Sequence, residues 1–537
     1  MVRVSSLTVL LFTLATAGGV AHPKTQQIKT ATIAGTVRTQ DGKTHAGVLV
    51  KILTLRSDGG RDYQVHNKNL PEAKTDREGK YKLTLRFSGE GNPVLGVLAA
   101  ELKGYVRAEP APELVLKDGQ TATVDITMRP GKVLAGTINV SPTVSQLEIG
   151  AKPDEQDWWF SVKGPSFGQL HRAAKNGSFE VYVPPGAYSI RCLFHPKSPE
   201  WKDLKSGSRD LRLTVPFAYT EEYLGPQFDR LWEVMDRHYS YFAYKKGVDW
   251  KVLKERYRPQ AVKAKNRQEF IQALKHLLAP LRDMHVWIQT PEGYIATFSN
   301  PYRGNRNRAV TLALLEERTN CGFARVGKTK DDGFGYFLMV NQSRADAAGV
   351  RKAIEAIRRL HDAPGFIVDL RTANGGDEDK AADVARLFCG KDTVYARSKW
   401  RDGPAHDKFG EVYERVLKAS EQPYTKPVVC LIGPGAISSG EGFVQMMKCL
   451  PNVTTVGMRT RGASGNPQPW DLYPMGVAVW FSRWVDLMPD GSVFEGVGIA
   501  PDVTVDVPPE DYAKRDPTLE KGLEVLRRKV EARNRTR

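Results

Sequence analysis

The chain has 537 residues, which is too long for one compact hydrophobic core and predicts three or four folded units. Its content of 41% hydrophobic and 26% charged residues is typical of a globular protein and excludes a low-complexity or fibrous one. The net charge of +17 comes from lysines and arginines scattered along the chain without a long basic run, so a nucleic-acid partner is not predicted.

The N-terminal segment, residues 1–21, predicts a signal peptide. Arg3 supplies a positive start, residues 7–17 are apolar, and small residues follow through Ala21. A membrane anchor is the alternative, but about twenty apolar residues are needed to span a bilayer, and no segment of this chain reaches that length. We therefore expect an exported protein, secreted or periplasmic, with no membrane span.

The cysteines predict neither a disulfide framework nor a zinc site, because their number is odd and no Cys-x-x-Cys pair occurs. Nothing in the sequence calls for a metal or another cofactor, and none is predicted. The five positions are Cys192, Cys321, Cys389, Cys430 and Cys449.

Residues 28–129 predict an antiparallel β-sandwich, because short alternating strands at 31–37, 47–53 and 80–85 are separated by glycine turns. The phrases Thr75-Asp76-x-x-Gly79-x-Tyr81 and Gly104-Tyr105 resemble carboxypeptidase regulatory-like modules. That resemblance implies a fold more than a function.

A second sandwich is predicted over residues 130–216, with strands at 133–138 and 178–183. Trp158, Trp159 and Phe160 fit either a sugar-stacking platform or the core and edge of this sandwich. The sandwiches therefore leave glycan or protein contact open as a role.

After Thr220 the pattern changes to helices, and a helical subdomain is predicted over 222–290. Residues 291–510 predict an α/β domain, and 511–537 a C-terminal charged helix. The predicted strands and helices of the α/β domain are 337–340, 345–360, 365–370, 378–388, 428–432, 439–449 and 454–457.

The α/β domain carries the parts of a serine hydrolase. Ser438 follows a glycine-rich strand end and precedes an apolar helix, so the N–H of Ser439 is a free donor of the first helical turn. Gly375 and Gly376 allow the backbone to approach a substrate carbonyl closely. The alternative is that Ser438 only caps the helix, with Glu441 completing a capping box.

Five phrases in order give residues 228–507 a family resemblance. They resemble the tail-specific (C-terminal processing) peptidase superfamily, which includes the tricorn core and the interphotoreceptor retinoid-binding protein repeats. The resemblance implies a ClpP/crotonase-like core and serine peptidase activity. The phrases are Phe228-x-x-Leu231-Trp232 through Asp249-Trp250, Leu281-x-Asp283-x-His285, Asp369-Leu370-Arg371 with Gly375-Gly376, Ser438-x-x-Glu441, and Glu495-Gly496-x-Gly498-Ile499-x-Pro501-Asp502.

By this resemblance Ser438 is the nucleophile, and the N–H groups of Ser439 and of Gly375 or Gly376 form the oxyanion hole. The lysine of the tail-specific branch is missing, since Ala463 stands at its place. The tricorn-like branch implies His285 as base, oriented with help from Glu495. The resemblance gives Asp283, Asp369, Arg371 and Glu441 supporting positions.

The sequence therefore predicts an exported serine endopeptidase that acts on proteins or peptides through an acyl-enzyme. Met284 stands where the tricorn-like branch has a serine, and Ala373 where an asparagine is usual. These departures keep two rivals open: an inactive peptide-binding protein on the same fold, and a surface carbohydrate-binding or adhesive protein. The natural substrate and the oligomeric state are also left open.

Overall fold

The structure is a computed structural model, and its described residues form two compact units. One unit runs up to Ala218 and includes Met475; the other covers Tyr219–Leu472 and continues from Gly476. The predicted signal peptide, Trp158 and the side chain of Trp159 lie outside the described part. The described residues are 29–57, 63–65, 70–89, 92–110, 113–140, 159–165, 167–174, 177–192, 200–215, 217–472 and 475–535.

The first unit begins with two sheets that share one hydrophobic core. The order of the first sheet is β3-β5-β1-β10-β7, with β9 also paired to β1, and the second is β4-β2-β6-β8. Ile33 and Leu83 from the first sheet and Val50 and Leu98 from the second are buried together, as expected for alternating strands. The strands are β1 (Lys29–Thr39), β2 (Leu49–Ser57), β3 (Tyr63–Val65), β4 (Glu72–Lys74), β5 (Lys80–Gly89), β6 (Pro93–Glu101), β7 (Tyr105–Val106), β8 (Leu114–Val115), β9 (Thr121–Thr123) and β10 (Ile126–Pro130).

The rest of the first unit is again a pair of sheets, ordered β14-β11-β17 and β13-β12-β15-β16. Phe160 is fully buried, and its ring packs against His171 and Phe179. A fully buried ring cannot stack on a sugar, so the platform interpretation is wrong for Phe160. The strands are β11 (Lys132–Val140), β12 (Trp159–Gly164), β13 (Phe167–Arg172), β14 (Ser178–Val183), β15 (Ala187–Cys192), β16 (Glu200–Lys205) and β17 (Leu211–Val215).

The second unit opens with three helices, α1 (Glu221–His238), α2 (Trp250–Val262) and α3 (Arg267–Leu278). Asp249 and Asn266 cap α2 and α3 by accepting hydrogen bonds from first-turn N–H groups. Short 3-10 turns follow α1 and α3, at Phe242–Tyr244 and Ala279–Leu281.

A seven-stranded sheet forms the centre of the second unit, in the order β20-β21-β22-β23-β26-β27-β31. Strands β22, β23, β26, β27 and β31 run parallel, so their carboxyl ends meet at one edge. These elements are β20 (Leu315–Asn320), β21 (Ala324–Thr329), β22 (Gly335–Met339), α5 (Ala347–Arg359), β23 (Phe366–Asp369), α6 (Glu378–Ala385), β26 (Val428–Ile432), α7 (Ser439–Lys448), β27 (Val453–Gly457) and β31 (Val503–Thr504).

Two smaller antiparallel sheets complete the unit, in the orders β19-β18-β29-β28 and β25-β24-β30. The sequence analysis did not predict them. Within the part of the chain that the structure describes, no helix has the length and apolarity needed to cross a bilayer. The remaining elements are β18 (Trp287–Thr290), β19 (Gly293–Ala296), α4 (Arg308–Leu314), β24 (Thr393–Arg401), β25 (Phe409–Leu417), β28 (Gln468–Leu472), β29 (Val477–Phe481), β30 (Trp484–Leu487) and α8 (Pro517–Arg535).

Candidate active site

Ser438 lies between β26 and α7, at the edge where the parallel strands end. Its backbone has φ 59° and ψ −133°, a region that non-glycine residues rarely adopt. The N–H of Ser438 donates to the carbonyl oxygen of Ala463 at 2.9 Å, which helps to hold this conformation. Backbone strain at a single serine between a strand and a helix is typical of a functional position.

The helix-capping alternative is not what the structure shows. The Ser438 side chain makes no capping hydrogen bond to α7. The Glu441 carboxylate instead accepts hydrogen bonds from the N–H groups of Gly462 (2.7 Å) and Ala463 (2.8 Å) and from the Thr460 hydroxyl (2.5 Å). Burial raises the pKa of Glu441 to about 7, and these donors oppose the rise. Glu441 thus fixes the loop whose Ala463 carbonyl holds Ser438.

His285 lies beside the serine. Its Nε2 is 3.0 Å from the Oγ of Ser438, a hydrogen-bond distance. Burial lowers the pKa of His285 below its usual value, while the charge of Asp283 acts in the opposite direction. The ring is therefore neutral near pH 7 and can accept a proton.

The other ring nitrogen of His285, Nδ1, lacks the carboxylate partner that it has in a Ser-His-Asp triad. Nδ1 is buried and makes no hydrogen bond with any of the described residues. Asp283 accepts instead from the main-chain N–H of His285, at 2.7 Å. The carboxylate therefore fixes the turn that carries the ring, and acts on the ring through its charge.

Two hydroxyl groups hold the Asp283 carboxylate in place. Tyr239 from the end of α1 and Ser482 after β29 each donate to its Oδ2 at 2.9 Å. Asp283 is only 1% exposed, so these donors replace water for the buried charge. Three separate parts of the chain meet at this carboxylate.

The structure places Glu495 in the same buried region but not on the imidazole. Its carboxylate pairs with the Lys245 ammonium at 3.2 Å and accepts from the N–H of Ser464 at 3.2 Å. Burial and the nearby Asp283 charge raise the pKa of Glu495, and Lys245 opposes the rise. Glu495 and His285 share no hydrogen bond.

The predicted glycine turn packs directly against Ser438. Gly375 has φ 82°, and a Cβ there would lie 2.8 Å from the Cβ of Ser438. The Ser439 hydroxyl donates to the carbonyl oxygen of Gly376 at 2.7 Å, and the N–H of Ile437 donates to that of Ala373 at 3.0 Å. The turn and the start of α7 are thus joined on both sides of Ser438.

Asp369 and Arg371 form a buried ion-pair network beneath this turn. Both side chains are fully buried, and the Arg371 guanidinium donates to Asp369 through Nε (2.9 Å) and Nη2 (2.7 Å). Its Nη1 donates to Asp516 at 2.7 Å. Asp516 also accepts from the N–H of Leu519 in the first turn of α8. The network connects the end of β23 to the C-terminal helix and contains no group that contacts Ser438 or His285 by a hydrogen bond.

The three departures from the family phrases have definite positions. Met284 lies against the Arg461 guanidinium, which donates to the carbonyl of Pro434 at 2.7 Å and lies 3.5 Å from the centre of the Tyr302 ring. Ala463 and Ala373 are fully buried, and their carbonyl groups accept the bonds described above. Their backbones, rather than their side chains, take part in the site.

Sequence reasoning missed several residues of this site. Tyr239, Lys245, Ser482 and Asp516 were not singled out from the sequence. Of these, only Asp516 had a local signal, because an aspartate immediately before a proline at the start of a helix favours capping. The others reach the site through contacts between distant parts of the chain.

Comparison with known protein families identifies two regions of the second unit. Residues 333–505 match peptidase family S41, and residues 226–279 match the tricorn protease C1 domain. The first match includes the glycine turn, Ser438 and Glu495, and the second covers most of α1 and all of α2 and α3. His285 lies between the two matched regions.

Curated relatives and a solved structure agree with these matches. The chain is 29% identical over 188 residues to carboxy-terminal processing protease CtpA of Bacillus subtilis, covering 34% of this chain and 37% of that protein. It is 27% identical over 192 residues to a carboxy-terminal-processing protease of Bartonella bacilliformis, covering 34% and 42%. The matches thus span well under two thirds of these relatives. A crystal structure assigned as a peptidase from Parabacteroides merdae is 27% identical, with a TM-score of 0.50 over 56% of this chain and 95% of that one.

Proposed function

We propose that this chain is a tail-specific serine protease that hydrolyses peptide bonds of proteins or peptides through an acyl-enzyme on Ser438, since residues 333–505 match peptidase family S41 and residues 226–279 match the tricorn protease C1 domain. The observation that carries the proposal is the 3.0 Å separation between Ser438 Oγ and His285 Nε2. A serine hydroxyl is a weak nucleophile, and a neutral imidazole at this distance can remove its proton as it attacks.

The proposed reaction uses Ser438 as the nucleophile and His285 as the base and then the acid. Ser438 Oγ attacks the peptide carbonyl carbon while its proton passes to Nε2 of His285. The tetrahedral intermediate then collapses, the C–N bond breaks, and His285 gives the proton to the leaving amine. A water molecule, deprotonated by the same nitrogen, hydrolyses the acyl-enzyme and restores Ser438.

Backbone amides are proposed to stabilise the oxyanion. The N–H of Ser439 is in the first turn of α7, where it lacks an intrahelical acceptor and benefits from the helix dipole. Gly375 or Gly376 supplies a second N–H from the turn that packs on Ser438. Donors of this kind typically contribute a factor of about 10² to 10³ in kcat.

Asp283 and Glu495 are proposed to act through the base. Asp283 positions the turn of His285 and stabilises the imidazolium that forms when the proton is taken. Glu495, paired with Lys245, makes no hydrogen bond with the His285 ring and supports the Ser464 backbone. Asp369, Arg371 and Glu441 are proposed as supports of the two loops.

The finer architecture and the location are also part of the proposal. The paired sheets of the first unit are proposed to be two β-sandwich modules, and the seven-stranded sheet with its helices a ClpP/crotonase-like core. Export through the segment 1–21 rests on its sequence alone. These features fit a protease that works outside the cytoplasm.

The second candidate is an inactive peptide-binding protein on the same fold. The buried and unpartnered Nδ1 of His285 favours it, since an unoriented imidazole is a poorer base. A cleavage measurement separates the two functions, because only the peptidase turns over substrate.

The test uses a fluorophosphonate probe and casein digestion on the whole protein. We expect wild type to be labelled and to digest unfolded casein, and Ser438→Ala to do neither. Ser439→Ala is the matched control, because it removes a neighbouring hydroxyl and keeps the N–H; it should still be labelled. Equal labelling of wild type and Ser438→Ala, or casein digestion by Ser438→Ala, would overturn the assignment.

A further inference from the structure

A row of four apolar residues crosses the sheet β19-β18-β29-β28 beside His285. Backbone pairing places Trp287 opposite Ala296 on one side and opposite Trp480 on the other, and Trp480 opposite Pro469. Residues paired in this way point to the same face of a sheet. We call these residues, Ala296, Trp287, Trp480 and Pro469, the tryptophan row.

The row lies on the open face of this sheet. Ala296 and Pro469 are exposed, and the two tryptophans are only partly buried. The opposite face is the packed one, because Ile288 and Val479 are fully buried. The core is filled by the side chains of the packed face, so the tryptophan row on the open face is not explained by core packing.

The two indole rings form a flat surface next to the base. Trp287 and Trp480 stack with ring centres 5.2 Å apart and an interplanar angle of 8°. The imidazole of His285 is 6.5 Å from the Trp287 ring, centre to centre. An extended peptide advances about 3.3 Å per residue, so the distance from the imidazole to this ring spans about two residues of a substrate.

We propose that the tryptophan row is a substrate subsite that binds a large apolar side chain, aromatic or aliphatic, close to the cleaved bond. This inference rests on the proposed function and specifies its substrate class. An apolar side chain laid on the indoles removes surface of both partners from water, whereas a serine at the same place gains nothing. The row therefore discriminates between substrates, and it is not part of the bond-breaking machinery.

The test compares two fluorogenic peptides that differ only in carrying phenylalanine or serine at the two residues on each side of the cleaved bond. We expect wild type to prefer the phenylalanine peptide through a lower KM. Trp480→Ala should raise the KM for that peptide about tenfold and leave the serine peptide and both kcat values nearly unchanged. Trp480→Phe should restore most of the preference, because it keeps an aromatic surface.

Trp400→Ala is the matched control. Trp400 is also a partly buried strand tryptophan in an aromatic cluster, with Tyr413 and Trp484, but it belongs to the sheet β25-β24-β30. It should not change the preference between the peptides. If Trp480→Ala lowers activity on both peptides equally, or Trp400→Ala abolishes the preference as well, the indoles are structural and the subsite is refuted.

Binding to Ser438→Ala separates this inference from the proposed function. The same peptides are titrated into that variant, with and without Trp480→Ala, and the anisotropy of a peptide label is followed. Tighter binding of the phenylalanine peptide that Trp480→Ala removes would support the subsite even if wild type cleaves nothing. Cleavage of both peptides at one rate, with no difference in binding, would refute the subsite and leave the peptidase intact.

Discussion

Replacing Asp283 with asparagine removes one buried charge beside the base and nearly nothing else. The amide oxygen of asparagine can still accept from the N–H of His285, as the carboxylate does at 2.7 Å. In the wild type the hydroxyls of Tyr239 and Ser482 donate to Asp283. In the variant they can rotate and accept from the NH₂ group of the asparagine. The turn keeps its hydrogen bonds, and the His285 ring loses a neighbouring anion.

The magnitude follows from the two opposing influences on His285. Burial lowers the pKa of His285, and the Asp283 charge raises it. An opposite charge close by favours the protonated form of an imidazole. We expect a modest effect when it is removed, because Asp283 already interacts with its own donors. A loss of about 1.4 kcal/mol in the stabilisation of the imidazolium corresponds to about tenfold in kcat/KM.

Although Asp283→Asn lowers the rate, it should extend the active pH range to lower pH. Activity requires neutral His285 and is lost as pH falls through its pKa, which lies below the usual value. Without the Asp283 charge this pKa falls further, so the ring stays neutral to lower pH. The acid limb of kcat/KM should therefore move to lower pH, while the plateau falls about tenfold.

The assay is kcat/KM for one peptide from about pH 4 to about pH 9 in wild type and Asp283→Asn. Tyr239→Phe is the control, because it removes a donor to Asp283 and keeps the charge; its acid limb should stay at or slightly above that of wild type. An acid limb of Asp283→Asn that stays in place or moves to higher pH would refute the reasoning.

Two further predictions concern the supports of the site. Gly375→Ala should reduce kcat at least tenfold while costing only about 1–2 kcal/mol of folding stability, because residue 375 has φ 82° and the new Cβ would lie 2.8 Å from that of Ser438. Steady-state kinetics and urea unfolding measure the two effects, and Gly403→Ala, on another loop at φ 117°, is the control. An unchanged kcat in Gly375→Ala would contradict the prediction. Asp516→Ala should lower the free energy of unfolding by about 3–5 kcal/mol, because the buried Arg371 then loses one of its two carboxylate partners. The control Asp392→Ala removes a surface ion pair and should lower it by under about 1 kcal/mol. An equal loss in both variants would show that the buried pair stabilises the fold no more than the surface pair does.

The central elements of the α/β domain could be predicted because their signals are local. Strand β26 was predicted at the residues it occupies, and α7 differs by one residue at its C-terminus. Each is a continuous apolar run bounded by glycine or by a helix-starting serine, so neither depends on distant residues. The position of Ser438 between this strand and this helix could be predicted from the same local pattern.

The contacts that complete the site could not be read in this way. The capping box considered as an alternative for Glu441 is a local pattern, but its carboxylate reaches the loop 460–463 instead. Arg371 pairs with Asp516, which is 145 positions away. Such pairs depend on how the chain returns to the sheet, and no periodicity encodes them. The sheets containing β18 and β24 were missed for the same reason, since their partners lie far along the chain.

The ion pair between Arg371 and Asp516 has a consequence for shortened versions of the protein. A truncation before residue 516 would discard helix α8 and, with it, one of the two counter-ions of a guanidinium sealed from water. Arg371 would keep Asp369, but its Nη1 would lose its carboxylate partner directly below the turn that faces the nucleophile. Deletion of this tail should therefore inactivate the enzyme by destabilising the support of that turn, although the tail contains no group that touches a substrate.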